Sequence, residues 1–121
     1  MQDSTWVAIQ ASRSREGTGL VLPFVILHSV SLAIIAFAGE ALADSSTQLA
    51  LTAALVIGTI WIVMNFDGVI SDMGALIKDM SGDLAESNLA GNWRKLPIGM
   101  MRGVNVVFPA ILLVAQVAAI Y

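Results

Sequence analysis

Cysteine is absent from this 121-residue chain, which excludes disulfides, thiolate metal sites and cysteine nucleophiles. Charge is scarce: 12% of residues are Asp, Glu, Lys or Arg, against 57% hydrophobic, where a soluble domain carries about a quarter charged residues. With six basic residues against nine acidic ones and a pI near 4.7, no basic stripe is available to track phosphates, and nucleic acid is excluded as a partner. Histidine occurs once and proline three times. No Gly-rich phosphate loop, Ser/His/Asp arrangement, zinc spacing or internal repeat is present.

What the chain does have is long apolar runs. Gly17 to Gly39, Ser45 to Phe66 and Gly103 to Tyr121 are free of charge, and each is close to the ~20 residues that a helix needs to cross a bilayer. A barrel strand alternates apolar and polar residues over about ten positions, whereas these runs are apolar on every face. The fold class expected is therefore all-α: an integral membrane protein with three transmembrane helices, spans at about 20–42, 47–66 and 100–121. A polar head would occupy residues 1–18 and a loop residues 67–99.

The basic residues fix an orientation. Arg13 and Arg15 precede the first run, and Lys78, Arg94, Lys95 and Arg102 all lie between the second and third. By the positive-inside rule the N-terminus and the middle loop are cytoplasmic, and the Glu40–Asp44 loop and Tyr121 lie on the opposite side. Arg13 and Arg15, an apolar run and then Ala41-Leu42-Ala43 also read like a cleaved signal peptide. The run exceeds the 7–15 residues of a usual signal core, so the first span is expected to be retained.

Within the head, Trp6 to Ser12 reads as a short helix lying at the membrane surface, with Trp6 as its anchor. Pro23 falls in the opening turn of the first span, where a missing N–H costs little. Past the second span the helical periodicity continues: Phe66, Val69, Ile70, Met73, Leu76, Ile77 and Met80 share one face, with Asp67, Ser71, Asp72 and Lys78 opposite. This predicts an amphipathic cytoplasmic extension of the second helix that bends along the membrane or stands against a partner. Asp83 and Glu86 suggest a short further helix closed by Gly91. Trp93-Arg94-Lys95 reads as an interfacial anchor, and Pro109 as a kink midway along the third span.

The residues with chemical potential are few. His28 lies about nine residues into the first span, and an ionisable group at that depth is by default a functional candidate. Three roles fit: an axial ligand for haem or a chlorophyll-type pigment, a member of a proton path, or a neutral imidazole hydrogen-bonded to a facing helix with Ser31 on the same side. Asn65, Asn105 and Gln116, with Thr52 and Thr59 two turns apart, read as hydrogen-bonding glue between helices, and Asn65 and Asn105 are near enough in depth to meet. Ala54 and Gly58 form a small-xxx-small pair suited to close helix contact.

Asp67, Asp72, Asp79, Asp83 and Glu86 raise the possibility of a magnesium site. In length, three-span plan and acids at the foot of the second helix, the chain resembles bacterial diacylglycerol kinases. That family's Glu, Asn, Glu and Asp at −3, 0, +4 and +8 read here Ile62, Asn65, Val69 and Met73. The acids are therefore expected to be a solvated helix face rather than catalytic. No catalytic residue and no metal ligand is expected. The functional expectation is a small accessory subunit of a larger membrane complex of respiratory or photosynthetic type, with larger membrane subunits and membrane lipid as partners. The alternatives are a pigment- or haem-binding subunit using His28, or a self-associating pore former of the holin type.

Overall fold

A computed structural model describes residues 2–121. Among these the chain is entirely helical: α1 (Asp3–Phe37), a 3₁₀ turn (Gly39–Ala43), α2 (Ser45–Lys78), α3 (Gly82–Glu86), α4 (Asn88–Trp93) and α5 (Ile98–Ile120). Three of them, α1, α2 and α5, are long and apolar enough to cross a membrane. α2 is the central rod, packed against α1 on one side and α5 on the other, while α1 and α5 touch each other less.

The head and the first span are one helix. Arg13, Arg15 and Glu16 form a charged belt, but charge does not terminate a helix; loss of backbone bonding or a Pro/Gly break does. α1 therefore runs through the belt for 35 residues, about 52 Å at 1.5 Å per residue, against a hydrocarbon core of ~30 Å. Its apolar part ends at Phe37, five residues short of the expected boundary, because Gly39 adopts a left-handed φ of 53° and turns the chain into the 3₁₀ segment. Pro23 consequently lies inside a continuous helix and not in an opening turn.

α2 starts at a well-made cap. The Asp44 carboxylate accepts the Thr47 amide at 2.9 Å and the Thr47 hydroxyl at 3.0 Å, and takes the Ser46 hydroxyl as well. The Ser46 hydroxyl first, and then the two Thr47 donors, hold this carboxyl below its ordinary range. α2 continues for 34 residues, so the amphipathic extension is an unbroken prolongation of the second span. Gly82, at φ 58°, turns the chain after it. Two short helices follow where one was expected. Ser87 ends the first and caps the second, its hydroxyl accepting the Ala90 amide at 3.1 Å. Gly91 lies inside α4 and does not close it.

The extension continues straight from the second span, and its apolar face is covered by the chain's own head. Trp6, Leu76, Met80 and Ala90 form a buried cluster, with Ile9, Ile77, Leu84, Ala85 and Trp93 packed on it. Trp6 is 3% exposed, so it is a core residue rather than a surface anchor. The edge of its ring meets Trp93, centroids 5.5 Å apart at 67°, a favoured aromatic geometry. Trp6 Nε1 donates to the Leu76 carbonyl at 2.7 Å. That carbonyl is among the last four of α2, which lack an amide partner in the helix, so the indole acts as a C-terminal cap supplied from another helix.

Two ion pairs tie the same end of the molecule. Arg13 Nε donates to Asp72 at 2.9 Å, with Glu16 at 2.6 Å on its other side. Arg102 grips Asp67 by a two-pronged fork at 2.8 and 2.7 Å, joining α5 to α2. The acids of the extension thus include two that are paired across helices. At the opposite end Gln48 donates to the Ile120 carbonyl at 3.0 Å. The head, the extension and the 79–97 segment therefore share one end of the bundle, and the Gly39–Asp44 turn and Tyr121 the other. All six basic residues lie at or near the first end.

Candidate functional site

The polar centre of the three long helices is built around His28. α1 turns this side chain into the bundle, where it is 4% exposed. Gln116 of α5 reads it at two points: its Oε1 lies 2.6 Å from His28 Nδ1, and its Nε2 donates to the His28 carbonyl at 3.0 Å. Because the carbonyl can only accept, the Gln116 amide must turn its NH₂ toward it and its oxygen toward the ring. Nδ1 is then the protonated nitrogen. The remaining ring nitrogen, Nε2, faces the Thr59 hydroxyl of α2 at 3.3 Å. His28 thus joins all three long helices, each of its ring nitrogens facing a polar partner on another helix. Phe24 lies against the ring with centroids 4.4 Å apart, and Ser31, also buried, follows one turn along α1 on the same face.

This geometry decides which of the roles open to His28 the fold provides for. An axial ligand needs a ring nitrogen with a free lone pair facing a space large enough for a macrocycle. Here Nδ1 carries the proton given to Gln116, and Nε2 is directed at Thr59 between packed helices. Ligation would require Thr59 to leave and α1 and α2 to part. The residues present do not fit a haem or a chlorophyll-type pigment, and they do fit a hydrogen-bonded clamp.

The other residues singled out from sequence have separate places. Asn105 does bridge helices, its Nδ2 donating to the Val63 carbonyl of α2 at 3.1 Å. Asn65 does not meet it; its amide returns to the Trp61 carbonyl of its own helix at 2.8 Å, since α2 turns that side chain away from α5. Gly58 makes the close approach expected of it: a Cβ there would lie 2.7 Å from Leu27 Cδ2, so the missing side chain is the socket for Leu27. Thr52 Oγ1 is a buried hydroxyl with no partner. The Arg102–Asp67, Asn105–Val63 and Ile120–Gln48 pairs keep one antiparallel register, which puts Thr52 level with Gln116. A polar group left unbonded in such a place costs on the order of 1–3 kcal/mol.

The interfacial residues divide. Trp6 and Trp93 pack on each other, with Trp93 half-buried, while Arg94 and Lys95 beside it are exposed. Sequence reasoning missed the Trp6–Trp93 contact and the Arg13–Asp72 and Arg102–Asp67 pairs. The Arg102 pair had a signal: an arginine one residue before a charge-free run needs a counter-charge at equal depth, and Asp67 borders the second run. Groups of His, Asp or Glu placed to hold a metal ion do not occur among the described residues. Comparison of the chain with models of known families, with curated proteins and with solved structures finds no match.

Proposed function

We propose that this chain is a small accessory subunit of a larger membrane assembly, such as a respiratory or photosynthetic complex, where it packs between larger subunits and stabilises their association. It lies with its N-terminus and basic end in the cytoplasm and its C-terminus on the far side, the arrangement favoured by the collection of lysine and arginine at one end.

The observation that carries this reading is the outer face of α2. His28, Gln116, Thr59 and Asn105 are engaged inside the bundle and hold its own helices together. On the face of α2 turned away from α1 and α5, Ile57, Ile60, Trp61 and Met64 follow one another at helical spacing and are 68, 51, 69 and 67% exposed. Trp61 lies six residues inward of Asp67, about 9 Å along the helix. Its indole N–H has no acceptor among the described residues, and at that depth a neighbouring helix is the natural source of one. A large apolar stripe containing an unmatched donor suits a protein partner better than lipid alone.

Extraction of a tagged chain in mild detergent, followed by native mass spectrometry, tests this. The wild type is expected to carry larger membrane subunits, and Trp61→Ala to lose them while its own helical content and thermal stability stay unchanged. Recovery of the wild type alone contradicts the proposal. Recovery as a ring of identical copies that makes membranes leak on expression supports a self-associating pore instead.

A further inference from the structure

A groove of about 490 Å³ runs between the extension of α2 and the start of α5 on the basic end of the molecule. Its polar wall carries Lys78, Arg94 and Arg102, with the hydroxyl of Ser71 and a single carboxylate, Asp79. Its other wall is apolar, formed by Leu96 and Ile98, and Ile98 lies so close to α2 that a Cβ on Gly74 would come within 3.2 Å of it. We infer that this groove binds the phosphate-bearing headgroup of an anionic phospholipid from the leaflet on the basic side.

Three observations lead there. The first is charge without counter-charge. Arg13 and Arg102 are engaged by Glu16, Asp72 and Asp67, but Lys78 and Arg94 form no ion pair among the described residues. Both line one groove, where Asp79 offsets only one of them. Arg102 uses Nε and Nη2 on Asp67 and keeps Nη1 free to donate. The second is the backbone. α5 opens at this groove without a side-chain cap and with no acid in its first turn, so the amides of its first turn add to the positive field. The third is depth. Arg102 and Asp67 mark the boundary between the charge-free spans and the polar end, and Trp93-Arg94-Lys95 is an indole beside two cations of the kind found at headgroup level. A site half cationic and half apolar at that depth matches an amphiphile, with phosphate against the cations and the glycerol end against Leu96 and Ile98. A soluble anion would have no use for the apolar wall. The inference rests on the membrane placement of the helices and not on the accessory role.

The test is native mass spectrometry of the purified full chain, offered equal amounts of phosphatidylglycerol and phosphatidylcholine with the same acyl chains. Wild type is expected to retain phosphatidylglycerol preferentially. Lys78→Gln and Arg94→Gln should each reduce that preference about fivefold, the usual effect of one cation near an anionic lipid surface. Lys95→Gln, which removes a neighbouring cation that does not line the groove, should reduce it less than either. Added inorganic phosphate should not displace the lipid. Absence of preference in wild type, equal losses in Lys95→Gln, or full preference in the Lys78→Gln/Arg94→Gln double variant overturns the site. Displacement by inorganic phosphate overturns the lipid assignment in favour of a soluble phosphate ligand.

Discussion

Replacing Trp6 by Ala should release the N-terminal arm of α1 from the extension of α2 while leaving the three long helices associated. Three contributions are lost at once. The indole is almost fully buried and is the largest member of the cluster with Leu76, Met80 and Ala90. Its Nε1 is the donor to the Leu76 carbonyl at the frayed end of α2, and its ring edge is fitted to Trp93. Truncation of a buried tryptophan costs about 3–5 kcal/mol. Because the cluster is local, that cost falls on one end of the molecule, where it raises the open population by on the order of a hundredfold or more. Limited trypsin digestion reads this directly: cleavage after Arg13, Arg15 and Lys78 should accelerate in proportion, with the His28 region untouched. Trp6→Phe keeps most of the burial but loses the cap on Leu76, so its effect should be smaller than that of Ala. Unchanged cleavage in Trp6→Ala would mean that the arm is held by Arg13–Asp72 alone.

The second large effect belongs to Gln116. Gln116→Leu leaves the Nδ1–H of His28, a residue 4% exposed, facing a hydrocarbon side chain. Hydrogen bonds between membrane helices average about 0.6 kcal/mol and reach about 1.7 when measured by mutant cycles, while an orphaned buried donor costs roughly 1–3 kcal/mol. The second figure governs here. The single variant does not merely lose a bond; it leaves a buried ring nitrogen without its partner. A loss of about 2 kcal/mol is expected for Gln116→Leu, and a loss in the same direction for His28→Leu, which strands the Gln116 Oε1 while its Nε2 keeps the main-chain carbonyl of residue 28. The double variant His28→Leu/Gln116→Leu should recover most of it, since replacing both partners by apolar groups can be nearly neutral. Unfolding of all four proteins in mixed micelles gives the cycle. Additive losses in the double variant would show that the two residues act independently, against the geometry at 2.6 and 3.0 Å.

How far the sequence foretold this arrangement depends on the type of signal. The three long helices followed from charge-free runs, and the amphipathic face of the extension from the spacing of Val69, Ile70, Leu76 and Met80; both are periodic signals averaged over many residues. The partner of that face was not legible. Arg13 and Arg15 look like a boundary when hydropathy is read along the chain, yet a helix passes through a charged belt without interruption. Gly17 and Pro23 do not break it either; Gly17 fits against Val69 at a distance that leaves little room for a Cβ. The glue role expected of Gln116 and Thr59 was legible from polar residues in apolar runs, but their common attachment to His28 was not. Gln116 and His28 lie at different distances from the ends of their spans, and the stagger of α5 relative to α1 that brings them together is a packing outcome. Trp6 shows the same limit: a tryptophan near a charged belt is a common interfacial anchor, and only the fold reveals that Leu76 and Trp93 enclose it.

Three helices long and apolar enough to cross a membrane place the N-terminal arm and the 79–97 segment together at one end of the bundle and the 39–44 turn at the other, and the proposed insertion puts those two ends on opposite sides of the membrane. The chain has no cysteine, so single-cysteine labelling of intact and opened membrane vesicles addresses this without background. Ser4→Cys and Asn92→Cys, both at exposed positions on the basic end, should react with a membrane-impermeant maleimide from the same side, and Ala43→Cys only from the opposite side. Labelling of all three positions from one side, or of Ser4→Cys and Asn92→Cys from different sides, would contradict the account.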